Sequence, residues 1–288
     1  MTHDRKLNIM TTGTKSASRT VIICHNTEPL NRFALPLWLA SFTDLVGIVV
    51  IEEPRRRLWK RVKREVERIG WLRFVDVLLF RIYYRLFLAA SDRRREDNLL
   101  THMRQRFPAL STEVRILATP SPNSRECERF LRELKPNIIL ARCKFILNRR
   151  IFTLASIGTF VMHPGICPEY RNAHGCFWAL ANRDLENVGM TLLKIDEGVD
   201  TGPVYGYFRY SYDEVRESHI TIQDRVVFDN LDALDAKFRD IVAGSARTLD
   251  TTGRKSGAWG QPWLTRYLSW KRAARKRTTN AGVERARL

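Results

Sequence analysis

Apolar residues along the chain gather into short, β-branched-rich runs separated by stretches of mixed polarity. The first is Thr20-Val-Ile-Ile-Cys24. It is followed by Leu45-Val-Gly-Ile-Val-Val-Ile51, Val114-Arg-Ile-Leu-Ala118, Asn137-Ile-Ile-Leu-Ala141 and Thr159-Phe-Val-Met162. Unbroken apolar runs of this kind predict strands covered on both faces, and the segments between them predict helices, so the fold class is α/β with a Rossmann-like, mostly parallel sheet. No GxGxxG follows the first run, which removes the dinucleotide fingerprint. Farther on, Val188–Ile195 and Pro203–Tyr210 read as a hairpin-like pair, and one long helix from about Ser218 to Val242 closes the domain. In such a sheet, ligands bind beyond the carboxyl ends of the strands, so chemistry is sought just after each run.

One connection is too long for an ordinary crossover. It runs from Pro54 to about Phe107, is broken near Gly70, and is expected to form a helical insertion after the second strand. Its first half, Arg55 to Arg68, reads as a basic helix with Leu58, Trp59, Val62, Val66 and Ile69 at helical spacing. Its second half, Trp71 to Ala90, is strongly apolar but carries Arg73, Asp76, Arg81 and Arg85, which argues against a membrane span. Two readings compete: a helical hairpin packed on the domain with its arginines solvated, or an interfacial helix lying on an anionic membrane. Nucleic acid is disfavoured as a partner because no recognition motif accompanies the charge.

The charge is uneven. Across 288 residues, 49 Lys+Arg against 31 Asp+Glu leave +18. Residues 54–107 hold 16 basic against 6 acidic residues and residues 253–288 hold 10 against 1, so two basic attachments flank a nearly neutral core. The expected organisation is a catalytic domain over 19–245, with the insertion at 54–107 inside it, and a basic Trp/Arg-rich extension over 246–288. That extension carries Trp259, Trp263 and Trp270 ahead of Lys271-Arg-Ala-Ala-Arg-Lys-Arg277. Its tryptophans are expected to dock while its end stays mobile. Five cysteines without CxxC spacing indicate neither a zinc site nor a disulfide framework, and no metal is expected. The polar stretch Met1 to Ser18 lacks a signal-peptide core, so the expected setting is cytoplasmic, with membrane association an open option.

The most informative stretch is Val161-Met-His-Pro-Gly-Ile-Cys-Pro-Glu-Tyr-Arg171 at the end of a predicted strand. Gly189-Met-Thr191 follows, and then Asp196-Glu-Gly-Val-Asp-Thr-Gly-Pro203. Through His163-Pro164, Pro168, Tyr170-Arg171, Gly189-Met-Thr191 and Asp196–Pro203, the chain resembles the folate-dependent formyltransferases. That family includes glycinamide ribonucleotide, methionyl-tRNA and sugar-nucleotide enzymes. The resemblance covers roughly residues 114–210 and implies transfer of a formyl group from 10-formyltetrahydrofolate to a primary amine. Such a reaction needs a base for the amine proton and a stabiliser for the oxyanion.

Carried over by position, the family's His is His163 and its Asp is Asp200, while the place of its Asn is taken by Val161, which has no side-chain donor. Three explanations compete: another donor substitutes, catalysis is slowed or altered, or the fold serves binding without this reaction. Asn172, where the family has Gly, is the substitute donor to examine, with His174 two positions on. The alternative for Asn172 is a left-handed or capping backbone role. The resemblance implies that Arg142, Cys143, Lys144, Phe145, Ile146 and Leu147 enclose the pterin of the donor, with Ile195 to Asp200, including Gly198, as the opposing loop. Cys143 taken alone reads as a small buried hydrophobe. The acceptor is expected to be a small anionic amine, an amino sugar linked to a nucleotide being favoured. Methionyl-tRNA is disfavoured because the 46 residues after Val242 do not read as the extra β-barrel of that subfamily. A hydrolase releasing formate and a non-catalytic binding protein are the rivals.

Overall fold

The computed structural model describes residues 17–53 and 66–285, with side chains as far as Thr279. The first five apolar runs form β1 (Arg19–His25), β2 (Asp44–Ile51), β3 (Arg115–Thr119), β4 (Ile138–Arg142) and β5 (Gly158–His163). The hairpin-like pair forms β7 (Met190–Lys194) and β8 (Val204–Phe208), and a two-residue β6 (Arg171–Asn172) lies outside the main sheet. The sheet order is β3-β2-β1-β4-β5-β7-β8, parallel through β5 and antiparallel at β7 and β8. The chain thus winds outward in both directions from β1 and β4, which puts the ligand crevice beyond the carboxyl ends of those two strands.

The pleat explains the unbroken apolar runs. In β1, Ile22 and Cys24 face one layer with Trp38, Phe160, Met162, Phe177 and Phe238, while Val21 and Ile23 face the other with Val49, Leu131 and Ile139. Helices α1 (Leu35–Phe42) and α4 (Arg125–Leu134) cover the two faces. The start of α4 is set locally: Ser124 Oγ accepts the Cys127 N–H at 3.1 Å, with Glu126 and Glu128 in the first turn.

The long closing helix of the sequence reading is two helices, α7 (His219–Phe228) and α8 (Leu231–Val242). Asp229-Asn230 breaks it because the Asn230 side-chain amide donates to the Val226 carbonyl at 2.8 Å and the Arg209 carbonyl at 3.1 Å, capping the first helix from outside.

In the insertion, Gly70 has φ 78° and ends the preceding turn, after which come α2 (Trp71–Tyr83), a π-helical turn (Tyr84–Leu88) and α3 (Ala89–Arg106). Of the basic helix read over 55–68, residues 55–65 lie outside the described residues, and 66–69 are helical. The hairpin packs on the domain through Val77, Phe80 and Met103. It also packs through buried Asp92, whose carboxylate accepts the hydroxyls of Ser218 at 2.7 Å and Thr221 at 3.0 Å. Among the described residues no helix is long and apolar enough to cross a membrane.

Between these elements run a four-residue α5 (Arg149–Phe152) and α6 (Gly175–Ala181). The C-terminal stretch forms β9 (Ala258–Trp259), paired in parallel with β6, and α9 (Leu264–Arg285). Tyr267 and Trp270 of α9 are buried in the main core, and Ala274 is buried as well.

Candidate active site

His163 ends β5 with its side chain only 6% exposed, and its Nε2 lies 2.8 Å from the Tyr170 carbonyl. A carbonyl only accepts, so Nε2 carries a hydrogen, and Nδ1 is the nitrogen left to face Asp200. Nδ1 lies 3.5 Å from Asp200 Oδ2, which also accepts the Asn172 backbone N–H at 2.8 Å. The two groups read from the sequence as a pair, 37 residues apart, therefore meet at the rim of the sheet.

The surrounding motif residues hold that meeting in place. Thr191 Oγ1 donates to the Gly165 carbonyl at 2.7 Å and accepts the Cys167 N–H at 2.9 Å, which ties the loop after His163 to β7. Arg171 Nη1 donates to the Val199 carbonyl at 2.8 Å, linking this loop to the one that carries Asp200. Asp196 Oδ1 accepts the Gly198 N–H at 2.9 Å and the Thr201 hydroxyl at 2.7 Å, shaping the turn that presents Asp200. A Cβ at Gly202 would lie 1.9 Å from the Lys194 carbonyl, so only glycine allows the turn to close against β7.

These loops border a cleft of about 690 Å³. Arg142, Cys143, Lys144, Phe145, Ile146, Leu147, Ile195 and Gly198, expected to face the donor, all line it, as do Val161, His163, Asn172 and Asp200. Phe145, Leu147, Val161, Leu193 and Ile195 give one side an apolar wall, and a cleft of this size and make-up fits a flat heterocycle such as a pterin. Burial pushes the Cys143 thiol up to about 11, so it stays neutral at physiological pH. Asn172 has φ 76°, and its side-chain amide donates to the Trp259 carbonyl, so that amide is engaged with β9. His174, at φ 57°, is held neutral: burial, then Lys144 and Arg81, bring its pKa down to about 4.

The other wall was not legible in the sequence. Thr27, Glu28 and Asn31 follow β1, Glu96 comes from α3, and Gln223 and Asp224 come from α7. Arg142 reaches toward this side: its Nε donates to Asn31 Oδ1 at 3.0 Å and its Nη1 to the Met162 carbonyl. Burial works against the charge on Glu28, but Lys144 at 2.7 Å, with Asn31 and Arg142, holds its carboxyl below the ordinary range. Asp224 goes the other way: burial raises its pKa to about 7, with Arg142 opposing and Glu96 and Asp92 reinforcing the rise. Among the described residues no cluster of His, Cys, Asp and Glu has the arrangement of a metal site.

A doubly wound sheet with a His–Asp pair and a two-walled cleft at its switch point defines an α/β protein built around a small-molecule site. The chain belongs to the formyl transferase family, whose model matches residues 91–234. Over 92 residues, 32% of this chain, it is 36% identical to a methionyl-tRNA formyltransferase of Kosmotoga olearia, of which that stretch is 29%. A second such protein, from Dehalococcoides mccartyi, is 35% identical over 98 residues, 34% of this chain and 31% of that protein. The chain thus matches under a third of the length of these curated relatives. In fold it is similar to a sugar N-formyltransferase from a Shewanella species (TM-score 0.50, 13% identity, 88% of this chain and 87% of that one). It is also similar to a phosphoribosylglycinamide formyltransferase from Anaplasma phagocytophilum (TM-score 0.51, 12% identity, 86% of this chain and 100% of that one).

Proposed function

We propose that the protein transfers a formyl group from 10-formyltetrahydrofolate to the primary amine of a small anionic acceptor, a nucleotide-linked amino sugar being the favoured class. The observation that carries this reading is the approach of His163 Nδ1 to Asp200 at 3.5 Å on the floor of the cleft. The donor would lie along the 142–147 loop and supply the one-carbon unit. As the amine nitrogen bonds to the formyl carbon, His163, with its hydrogen fixed on Nε2 by Tyr170, takes the amine proton at Nδ1. The imidazolium, stabilised by the Asp200 carboxylate beside it, then returns that proton to N10 of the folate as the formyl–N10 bond breaks and tetrahydrofolate leaves. The opposite wall suits an acceptor carrying both charges. Glu28 and Asp224 would meet an amine, while Arg142 and Lys144, reaching over from the 142–147 loop toward Asn31 and Glu28, offer cations to a phosphate.

Val161 provides no donor to the oxyanion, and removing one such donor from an active site costs roughly two to three orders of magnitude in rate. Turnover is therefore expected to be slow unless the acceptor itself or Arg142 supplies a hydrogen bond. To test the reading, the protein is given 10-formyltetrahydrofolate with a panel of nucleotide-linked amino sugars and methionyl-tRNA. Formylated product is followed by mass spectrometry and folate binding by calorimetry. Formylated sugar is the expected result. Formate released without acceptor indicates a hydrolase, folate bound without product a binding protein, and no folate binding removes the reading.

A further inference from the structure

We propose that the outer face of residues 71–87 is a docking surface for an anionic lipid bilayer. Eight large apolar side chains stand exposed on this stretch: Leu72 is 91% exposed, Trp71 70%, Leu86 69% and Phe87 67%, with Val75, Leu78, Leu79 and Ile82 near half. At 100° per residue, Trp71, Leu72, Val75, Leu78, Leu79 and Ile82 fall within an arc of roughly 120°. They form one continuous stripe. The opposite side of α2 already has its partners, since Val77 and Phe80 are buried, and Asp76 accepts the Thr265 N–H at 3.1 Å. The stripe is therefore a second apolar face on a helix whose first face satisfies the core, and a monomeric protein rarely leaves such a patch on water.

Charge complementarity selects the occupant. Arg81 and Arg85 lie exposed along the stripe, and residues 54–107 as a whole carry 16 basic against 6 acidic residues. On its inner side α2 packs against α9, where Arg266, Arg272, Arg275 and Lys276 are exposed. A two-fold pairing of copies through this stripe would set Arg81 and Arg85 of each chain near those of the other and oppose like charges. Six of the eight side chains are aliphatic and give a nucleic acid no ring to stack on, and Trp71 and Phe87 stand 16 residues apart, which makes no row of stacking platforms. An apolar stripe bordered by arginines instead matches the layered chemistry of an interface, with side chains among the acyl chains and guanidinium groups at anionic headgroups. Arg68, three residues before Trp71, lines the cleft, so the docking face adjoins the cleft lining along the chain.

The test is co-sedimentation of the full chain with vesicles of phosphatidylcholine alone and of phosphatidylcholine mixed with phosphatidylglycerol. Binding to the mixed vesicles is expected, accompanied by a blue shift of tryptophan emission that is absent from Trp71→Phe. The triple variant Leu72→Ser/Leu79→Ser/Leu86→Ser, which changes only exposed positions, should keep its melting temperature and lose more than about tenfold in partitioning. Arg81→Gln/Arg85→Gln should lose about thirtyfold, since each of the two basic residues near an anionic surface contributes on the order of 1 kcal/mol. Equal binding by the triple variant and the wild type would overturn the proposal, because adhesion would then come from cations elsewhere. So would the absence of vesicle binding combined with a dimer in sedimentation velocity that the triple variant abolishes, which would make the stripe a contact between copies.

Discussion

Asp200 adopts φ 53°, a backbone region that non-glycine residues seldom occupy, and its carboxylate is shared between the Asn172 N–H and Nδ1 of His163. If that carboxylate stabilises a protonated His163, then His163→Ala and Asp200→Asn should each lower kcat by about two to four orders of magnitude and leave folate affinity nearly unchanged. Steady-state kinetics with separate calorimetry reads both. The Val161 position separates two histories of the site: a large gain in kcat for Val161→Asn marks a site lacking its donor, and a loss marks one whose oxyanion is served from elsewhere. At Asn172, φ 76° and the bond to Trp259 point to a positioning role. Asn172→Gly, which accepts that backbone, should then keep most of the activity, whereas Asn172→Ala should lose stability by about 1 kcal/mol. Near-total inactivity of a well-folded Asn172→Gly would return the amide to the catalytic list. Asp224 provides a pH test. Its folded pKa, about 7, stands above that of the free carboxyl, so the folded state holds a proton that the unfolded chain gives up, and stability is lost as pH rises from about 4 through 7. Asp224→Asn should therefore raise the melting temperature by several degrees at pH 8 and by clearly less at pH 5. Scanning calorimetry at the two pH values measures it.

Among the elements, the C-terminal β9 has the most direct hold on the site. The loop from His163 to Asn172 is tied to it at several points: the Arg171 N–H donates to the Gly257 carbonyl at 2.9 Å, the Gly257 N–H donates to the Pro168 carbonyl at 3.0 Å, and the Trp259 indole donates to the Glu169 carbonyl at 2.9 Å. Trp259 also stacks between Tyr170 and Trp178, with ring centroids 5.7 and 4.8 Å away. Because Tyr170 supplies the carbonyl that fixes the His163 tautomer, Trp259→Ala should lower kcat about tenfold or more with a smaller change in KM. An unchanged kcat would show that the loop keeps its shape unaided. From the chain the tryptophans of this tail were expected to dock, but the loop they brace was not readable, because nothing in a Trp- and Arg-rich stretch names its partner. By contrast, His163 and Asp200 were legible through the family resemblance carried by the three ordered motifs, and the strands because both pleat faces are apolar. The cleft's second wall was not. Glu28, Glu96 and Asp224 stand on three distant elements, and each alone reads as an ordinary solvated acid. Nor could periodicity tell which face of α2 turns inward, since both are apolar.

At the scale of the whole molecule, the question is whether the C-terminal helix is an appendage or part of the cooperative unit. Its charge suggests an appendage, since residues 253–288 carry 10 basic residues against 1 acidic. Its packing says otherwise. Trp270 is 1% exposed and meets Phe177 and Tyr267 edge to face, and its indole donates to Glu214 at 2.9 Å. Lys271 lies buried beside it, donating to the Glu214 carbonyl at 2.7 Å, and burial brings its pKa down to about 8. The same cluster contains Phe160 and Met162 of β5, so the helix shares its core with the strand that ends in His163. Trp270→Ala should then cost about 3–5 kcal/mol, the usual penalty for emptying a large aromatic site. It should also shift the denaturation midpoint of the whole chain. Urea unfolding followed by far-UV circular dichroism and by tryptophan fluorescence is expected to give one coincident transition in the wild type and one, displaced to lower urea, in the variant. If fluorescence alone moves while the dichroism of the sheet holds, the helix unfolds separately, and its hold on the catalytic loop would be a local contact that the sheet does not need.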